Sequence, residues 1–144
     1  MTELNNNCLV TLESRQIMLG DEDTSVINVP ALRTEKNGKT YIYYTVFYDD
    51  DNQMANKETV KIVSDDCVEL IRSGLLKSKM VFKKGETTSS IYSSPAGQMM
   101  MSITTEELDI EKNEKKLIIN MKYKIALDND VDILIYFKMT SESN

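Results

Sequence analysis

Apolar and polar residues alternate with a period of two along most of this chain, the signature of strands with one face buried. The cleanest example runs from Lys116 to Leu127, where Leu117, Ile119, Met121, Tyr123, Ile125 and Leu127 oppose Ile118, Asn120, Lys122 and Lys124. Val131, Ile133, Ile135, Phe137 and Met139 form a second inward stripe after the turn Asp128-Asn129-Asp130. Thr40 to Tyr48 is rich in aromatic and β-branched residues on both faces, so its pattern leaves open which face is buried. Asn37-Gly38 before it tolerates the positive φ angles of a type I′ hairpin turn. Lys57 to Val63 resumes the alternation with Val60 and Ile62 inward.

The first strand, from Asn7 to Leu19, puts Cys8, Val10, Leu12, Ser14 and Gln16 on one face and Leu9, Thr11, Glu13, Arg15 and Ile17 on the other. The alternation of character fails near Ser14, which predicts a bulge there. Gly20-Asp21-Glu22-Asp23 reads as a turn. Thr24 to Leu32 reads as a strand that Pro30 bends or confines to an edge, because proline lacks a ladder donor. Between Cys67 and Ile110 four further strands follow, near Cys67 to Arg72, Leu75 to Lys83, Thr88 to Tyr92 and Gln98 to Leu108, with reversals at Gly74, Gly85 and Gly97. A helical reading of Asp65 to Leu76 fails on Gly74, since glycine inside a helix costs about 1 kcal/mol relative to alanine. About nine or ten short strands joined by tight turns predict an all-β fold: a single antiparallel up-and-down meander closed into a β-barrel. One domain is expected over residues 1–144, frayed at 1–6 and 141–144.

Composition narrows the chemistry. The chain has 17 basic and 23 acidic residues and a formal charge of −6, without the basic footprint expected of a nucleic-acid binder. It has no histidine, which removes histidine triads, histidine zinc sites and histidine-ligated haem. Cysteine with an acidic or lysine partner and a carboxylate pair remain open chemistries, but neither has a motif behind it, so no catalytic residue, metal or cofactor is expected and the chain reads as a non-enzyme. Asp49-Asp50-Asp51-Asn52 lacks the glycine and terminal glutamate of an EF-hand loop and reads as a solvated hairpin. Cys8 and Cys67 sit in apolar β-patterns and read as buried thiols, with a disulfide between them left open. No window approaches the ~20 apolar residues of a spanning helix, and the first residues lack a signal-peptide pattern. A cytoplasmic protein without a membrane partner is the expectation.

The runs VELIRSG, MVFKKG, IYSSPAGQMMMSITT and LIINMKYKI resemble the bacterial YwiB-like domain of unknown function, placed among calycin-type barrels. The resemblance extends from about Asn37 to Phe137 and is carried by Tyr41, Tyr43, Val60, Ile62, Arg72, Gly74, Phe82, Gly85, Tyr92, Gly97 and Tyr123. It implies a calycin/lipocalin-like barrel and supplies no catalytic residue, because these positions are turns and core.

Arg72 alternates with Val68 and Leu70, so an inward-facing strand would carry its guanidinium into the barrel, where it needs an acidic partner such as Glu58 or Glu13. The alternatives are internal pairing, exposure at the rim, and bidentate recognition of a ligand carboxylate or phosphate. Tyr41, Tyr43 and Tyr123 offer apolar area with a polar tip, and Met99 and Met101 are adaptable packers. With Arg72, these are the candidate ligand-binding residues, each equally readable as barrel filling. Two functions follow from different classes: a barrel holding one small amphipathic or anionic ligand, or a filled barrel acting as a structural or interaction protein, for example a homodimer through the Pro30 strand.

Overall fold

Strands form where the period-two pattern runs. The computed structural model describes residues 6–47, 55–127 and 132–144, and in it the chain forms β1 (Cys8–Met18), β2 (Asp21–Lys36), β3 (Lys39–Phe47), β4 (Ala55–Ser64), β5 (Cys67–Gly74), β6 (Ser78–Lys83), β7 (Thr87–Ser94), β8 (Gly97–Lys112), β9 (Lys116–Leu127) and β10 (Asp132–Ser143). Tyr48, the Asp49-Asp50-Asp51-Asn52 stretch, the Asp128-Asn129-Asp130 turn and Val131 lie outside the described residues.

All neighbouring strands are antiparallel, in the order β6-β5-β4-β3-β2-β1-β10-β9-β8-β7. The first and last strands are thus partners, with Cys8 opposite Ser143. The remaining seam lies between β6 and β7. There Lys77 and Ser93 exchange backbone hydrogen bonds of 2.9 Å and 2.9 Å, and the Thr88 hydroxyl donates to the Val81 carbonyl at 2.6 Å. The result is the expected meander, closed into a nearly complete barrel.

Inward positions fall into layers because register ties them across strands. Thr40, Ile62, Val68 and Phe82 form one row across β3 to β6, and Ile42, Val60, Leu70 and Met80 form the next. Val10, Ile103, Leu117, Ile119 and Met139 fill the opposite wall and are fully buried or nearly so. Each such side chain contributes about 1.5–3 kcal/mol on leaving water. The Phe82 and Tyr123 rings meet at 4.6 Å with their planes 60° apart, a favourable tilted geometry. Among the rows, Thr40 lies nearest the end that carries the chain termini, and the Lys112 ammonium donates to its hydroxyl at 3.1 Å.

Turn chemistry explains the reversals. Asn37 and Gly38 have φ of 53° and 76°, as a two-residue hairpin between Lys36 and Lys39 requires. The β1–β2 reversal is made by Leu19-Gly20 rather than by Gly20 to Asp23, and Met18 pairs directly with Asp21. Leu19 therefore adopts φ 53°, a conformation unfavourable for a leucine. Gly74 has φ 143°, and a Cβ there would collide with the Ala55 carbonyl oxygen. The close approach lets Leu75 donate to that carbonyl at 3.1 Å and Leu76 to the Asn56 side chain at 2.8 Å.

Several expectations are corrected. β1 pairs with β2 and β10 without a register shift, so no bulge occurs at Ser14; the irregularities fall between Ile62 and Ser64 and between Thr105 and Glu107. Residues 141–143 are not frayed, because Ser141, Glu142 and Ser143 pair with Val10, Leu9 and Cys8. Cys8 is buried and donates to the Ala31 carbonyl at 3.4 Å, whereas Cys67 points to the outer face and is half-buried; both are free thiols. Partial burial pushes the Cys67 thiol up from its ordinary value, with the Glu69 carboxylate adding to the effect. No described helix is long and apolar enough to cross a membrane, a statement that does not bear on strands.

Pro30 sits where β2 changes its pairing. From Asp21 to Ala31 the strand is laddered to β1, whereas its ladder to β3 begins only at Leu32 opposite Tyr43. The proline thus lies beside an unladdered edge, where a missing donor is tolerated. Beyond Tyr43, residues Tyr44 to Phe47 of β3 pair with β4 alone. β2 and β3 consequently part company toward one end of the barrel.

Candidate functional site

One register step beyond the Ile42 row, toward that end, the inward side chains become polar. Tyr44 opposes Glu58, Glu58 opposes Arg72, and Arg72 opposes Ser78, giving a polar belt across β3, β4, β5 and β6. The period-two geometry that brings Val60 and Leu70 inward leaves these side chains no other direction. Arg72 Nε lies 3.4 Å from Glu58 Oε2, and the two side chains are 28% and 6% exposed. The closest approach is at Nε rather than through the terminal fork by which arginine holds an oxyanion bidentately. Nε is buried without a hydrogen-bond partner, and so is the Ser78 hydroxyl.

Tyr123 enters from β9, on the opposite wall. Burial is the main reason its phenol is pushed up to about 12; Glu58 adds to the rise, and Arg72 opposes it. At neutral pH the group is an uncharged hydroxyl beside an ion pair, able to donate or accept. Between these walls lies a cavity of about 280 Å³, lined on its apolar side by residues including Leu12, Val46, Val60, Ile119, Met121 and Ile135. Its polar lining comprises Ser14, Gln16 and Ser25 with Glu58, Arg72, Tyr44 and Tyr123. Ile27 of β2 and Tyr44 and Val46 of β3 also line it, so the cavity lies at the gap between those strands.

A larger depression of about 400 Å³ lies on the outer wall, between Glu13 and Arg15 of β1, Tyr136 and Lys138 of β10 and Asp109 and Lys122 of the neighbouring strands. Two of its cations, Arg15 and Lys122, are already engaged. Arg15 pairs with Glu22 at 2.8 Å and sits 4.4 Å above the Tyr136 ring, while Lys122 lies 3.4 Å from Glu106. Exposed pairs of this kind contribute little, and among the described residues none of the depression's lining side chains has a buried polar atom left without a hydrogen bond. The interior cavity is the better candidate despite its smaller volume.

The six sequence candidates separate accordingly. Arg72 and Tyr123 line the cavity, and Glu58 is the partner of Arg72. Tyr41 and Tyr43 do not: the register that buries Ile42 and Tyr44 turns them to the outer face, where their rings stack at 6.1 Å and 5°. Met101 is buried in the core, and Met99 is 39% exposed in the β7–β8 hairpin; neither lines the cavity. The sequence reading missed Ser14, Gln16 and Ser25 as lining residues. The signal was the loss of apolar character after Leu12, which reflects a change in what the barrel contains rather than a slip in strand phase.

The crystal structure of the ywiB protein from Bacillus subtilis superposes with a TM-score of 0.86 at 21% identity, covering 96% of this chain and 92% of that one. At that identity the likeness establishes the fold. The attachment invasion locus protein Ail of Yersinia pestis aligns with a TM-score of only 0.36 at 11% identity, over 95% of this chain and 96% of that one, and carries no argument. No curated protein matches the chain. The model of the family described as Domain of unknown function (DUF1934) matches residues 10–137. The sequence match and the shared barrel agree: this chain belongs to the DUF1934 family.

Proposed function

We propose that the barrel is a non-catalytic, calycin-like binding protein that holds one small amphipathic molecule with an anionic or hydrogen-bond-accepting head. The observation that carries this reading is the set of polar side chains on one side of a largely apolar cavity, where Arg72 Nε is ion-paired with Glu58 but buried without a hydrogen bond, next to the buried and likewise unbonded Ser78 hydroxyl. Buried polar groups without partners are destabilising by about 1–3 kcal/mol each, and a ligand head reaching the belt would relieve that deficit while its body covers Leu12, Ile119 and Ile135. The volume of about 280 Å³ is at the small end for ligand pockets and favours a short-chain or single-ring carboxylate over a long acyl chain. Two free thiols, Cys8 and Cys67, accord with a reducing compartment, and we read the protein as cytoplasmic.

The test is a thermal-shift and calorimetric screen of the full chain against short and medium fatty acids, aromatic carboxylates and small phosphate esters, beside uncharged analogues. Stabilisation by acids and not by their alcohols, abolished in Arg72→Met, is the expected result. No stabilisation by any compound, or equal stabilisation of wild type and Arg72→Met, would rule the reading out.

A further inference from the structure

We infer that the unladdered edge of β2 is a self-association edge, at which a second copy of this chain adds its own β2 antiparallel and walls off the gap beside the cavity. This does not rest on the ligand proposed above.

The edge is long and poorly defended. β2 from Asp21 to Ala31 is paired on one side with β1, while on the other side its ladder to β3 starts only at Leu32. An unpaired row of backbone donors and acceptors is a template for another strand. Proteins usually protect such edges with lysines, bulges or prolines. The edge from Asp21 to Ala31 contains no lysine and its pairing with β1 shows no register shift; its one proline, Pro30, stands at the end next to the β3 ladder and leaves Asp21 to Val29 able to donate. Apolar side chains lie in the open at the centre of this stretch, with Val26 63% and Ile27 39% exposed.

The arrangement of charge favours a second copy. The acidic residues of the stretch, Asp21, Glu22 and Asp23, are gathered at one end. In a two-fold antiparallel pairing centred on Val26, they would oppose Ala31, Pro30 and Val29 of the other copy. Thr24 would face Asn28, and Val26 would face Val26. No like charges are then opposed, and the most exposed apolar residue of the stretch lies on the axis. A parallel pairing would stack the two acidic triplets, which is repulsive. Closed two-fold symmetry uses one patch twice and stops at the dimer. Pairing along a single strand buries little area, at the low end for protein interfaces, so a reversible dimer is expected.

Sedimentation velocity on the full chain, across a hundredfold range of concentration, reads the outcome directly. The wild type is expected to pass from monomer to dimer, and Val26→Lys to remain monomeric with an unchanged melting temperature. In a Cys67→Ser background, Val26→Cys is expected to cross-link into a disulfide dimer under mild oxidation. Leu9→Cys, exposed but on a strand laddered on both sides, is the control expected to remain uncross-linked. A wild type that stays monomeric throughout, or a dimer that Val26→Lys leaves intact, would overturn the inference whatever the ligand screen shows.

Discussion

The two ends of the barrel are built by the same strands and the same alternation, yet they differ in content. Toward the end carrying the termini, the rows through Ile42 and Thr40 are almost wholly apolar and side chains fill the interior. Toward the other end, the row through Tyr44 carries an acid, a base and a hydroxyl, the walls part between β2 and β3, and a cavity opens. Nearly all the exposed large apolar side chains, including Met18, Leu19, Phe47, Ile91, Met99 and Met100, also belong to this half; Leu9 is the exception. Stability is therefore concentrated in the filled half, and features suited to recognition in the open half.

The largest test of that division is at the floor of the cavity, where the filled half begins. Phe82→Ala, removing a ring that is 1% exposed, should lower unfolding free energy by about 3–5 kcal/mol in urea titration. A loss below about 1 kcal/mol would mean that this end is not close-packed.

Alkaline pH probes the boundary between the halves. Tyr123 titrates at about 12 in the folded chain, against about 10 in an unfolded one. Because the folded value is the higher, its stabilising effect is complete below about pH 10 and declines as pH rises toward 12, by roughly 2–3 kcal/mol in all. Urea midpoints at pH 9 and 11.5 should fall apart in the wild type and converge in Tyr123→Phe. The same steep fall in both proteins would place the alkaline sensitivity elsewhere.

Within the belt, Glu58→Gln leaves Arg72 without its counter-charge and should destabilise by about 2 kcal/mol. The double replacement Glu58→Met with Arg72→Met should return stability to the wild-type level or above it, as apolar substitutes for buried ion pairs often do. Denaturation of the three variants checks this. A double variant less stable than Glu58→Gln would show that the pair itself holds the open half together.

The smallest effect is a gain at the outermost point of the open end. Leu19, 81% exposed at φ 53°, strains the β1–β2 turn, and asparagine suits that conformation better. Leu19→Asn should raise unfolding free energy by about 1 kcal/mol. A loss on substitution would reveal a stabilising role for this side chain that its exposure does not suggest.

How much was legible depended on whether local pattern or distant pairing decided the outcome. Lys116 to Leu127 could be assigned a face outright, because only one side of it is apolar throughout. Tyr41 to Tyr48 could not, since either face was credible as core. Only the pairing of Ile42 with Val60 and Tyr44 with Glu58 turned Tyr41 and Tyr43 outward. Ser14 misled for the reverse reason: a regular strand passing from a filled interior to a polar one resembles, in sequence, a strand that has lost phase.

By itself the sequence determined the strands, most of their tight reversals, the antiparallel meander and the placing of Arg72 on the same strand face as Val68 and Leu70, with its direction left open. These follow from alternation and turn chemistry, which act between near neighbours. The tertiary structure decided that Glu58 rather than Glu13 meets Arg72 and that Tyr123 lines the same cavity. It also decided that β2 leaves β3 at Leu32, exposing an edge beside that cavity. Those outcomes depend on register and closure among strands far apart in the chain, which no local spacing encodes.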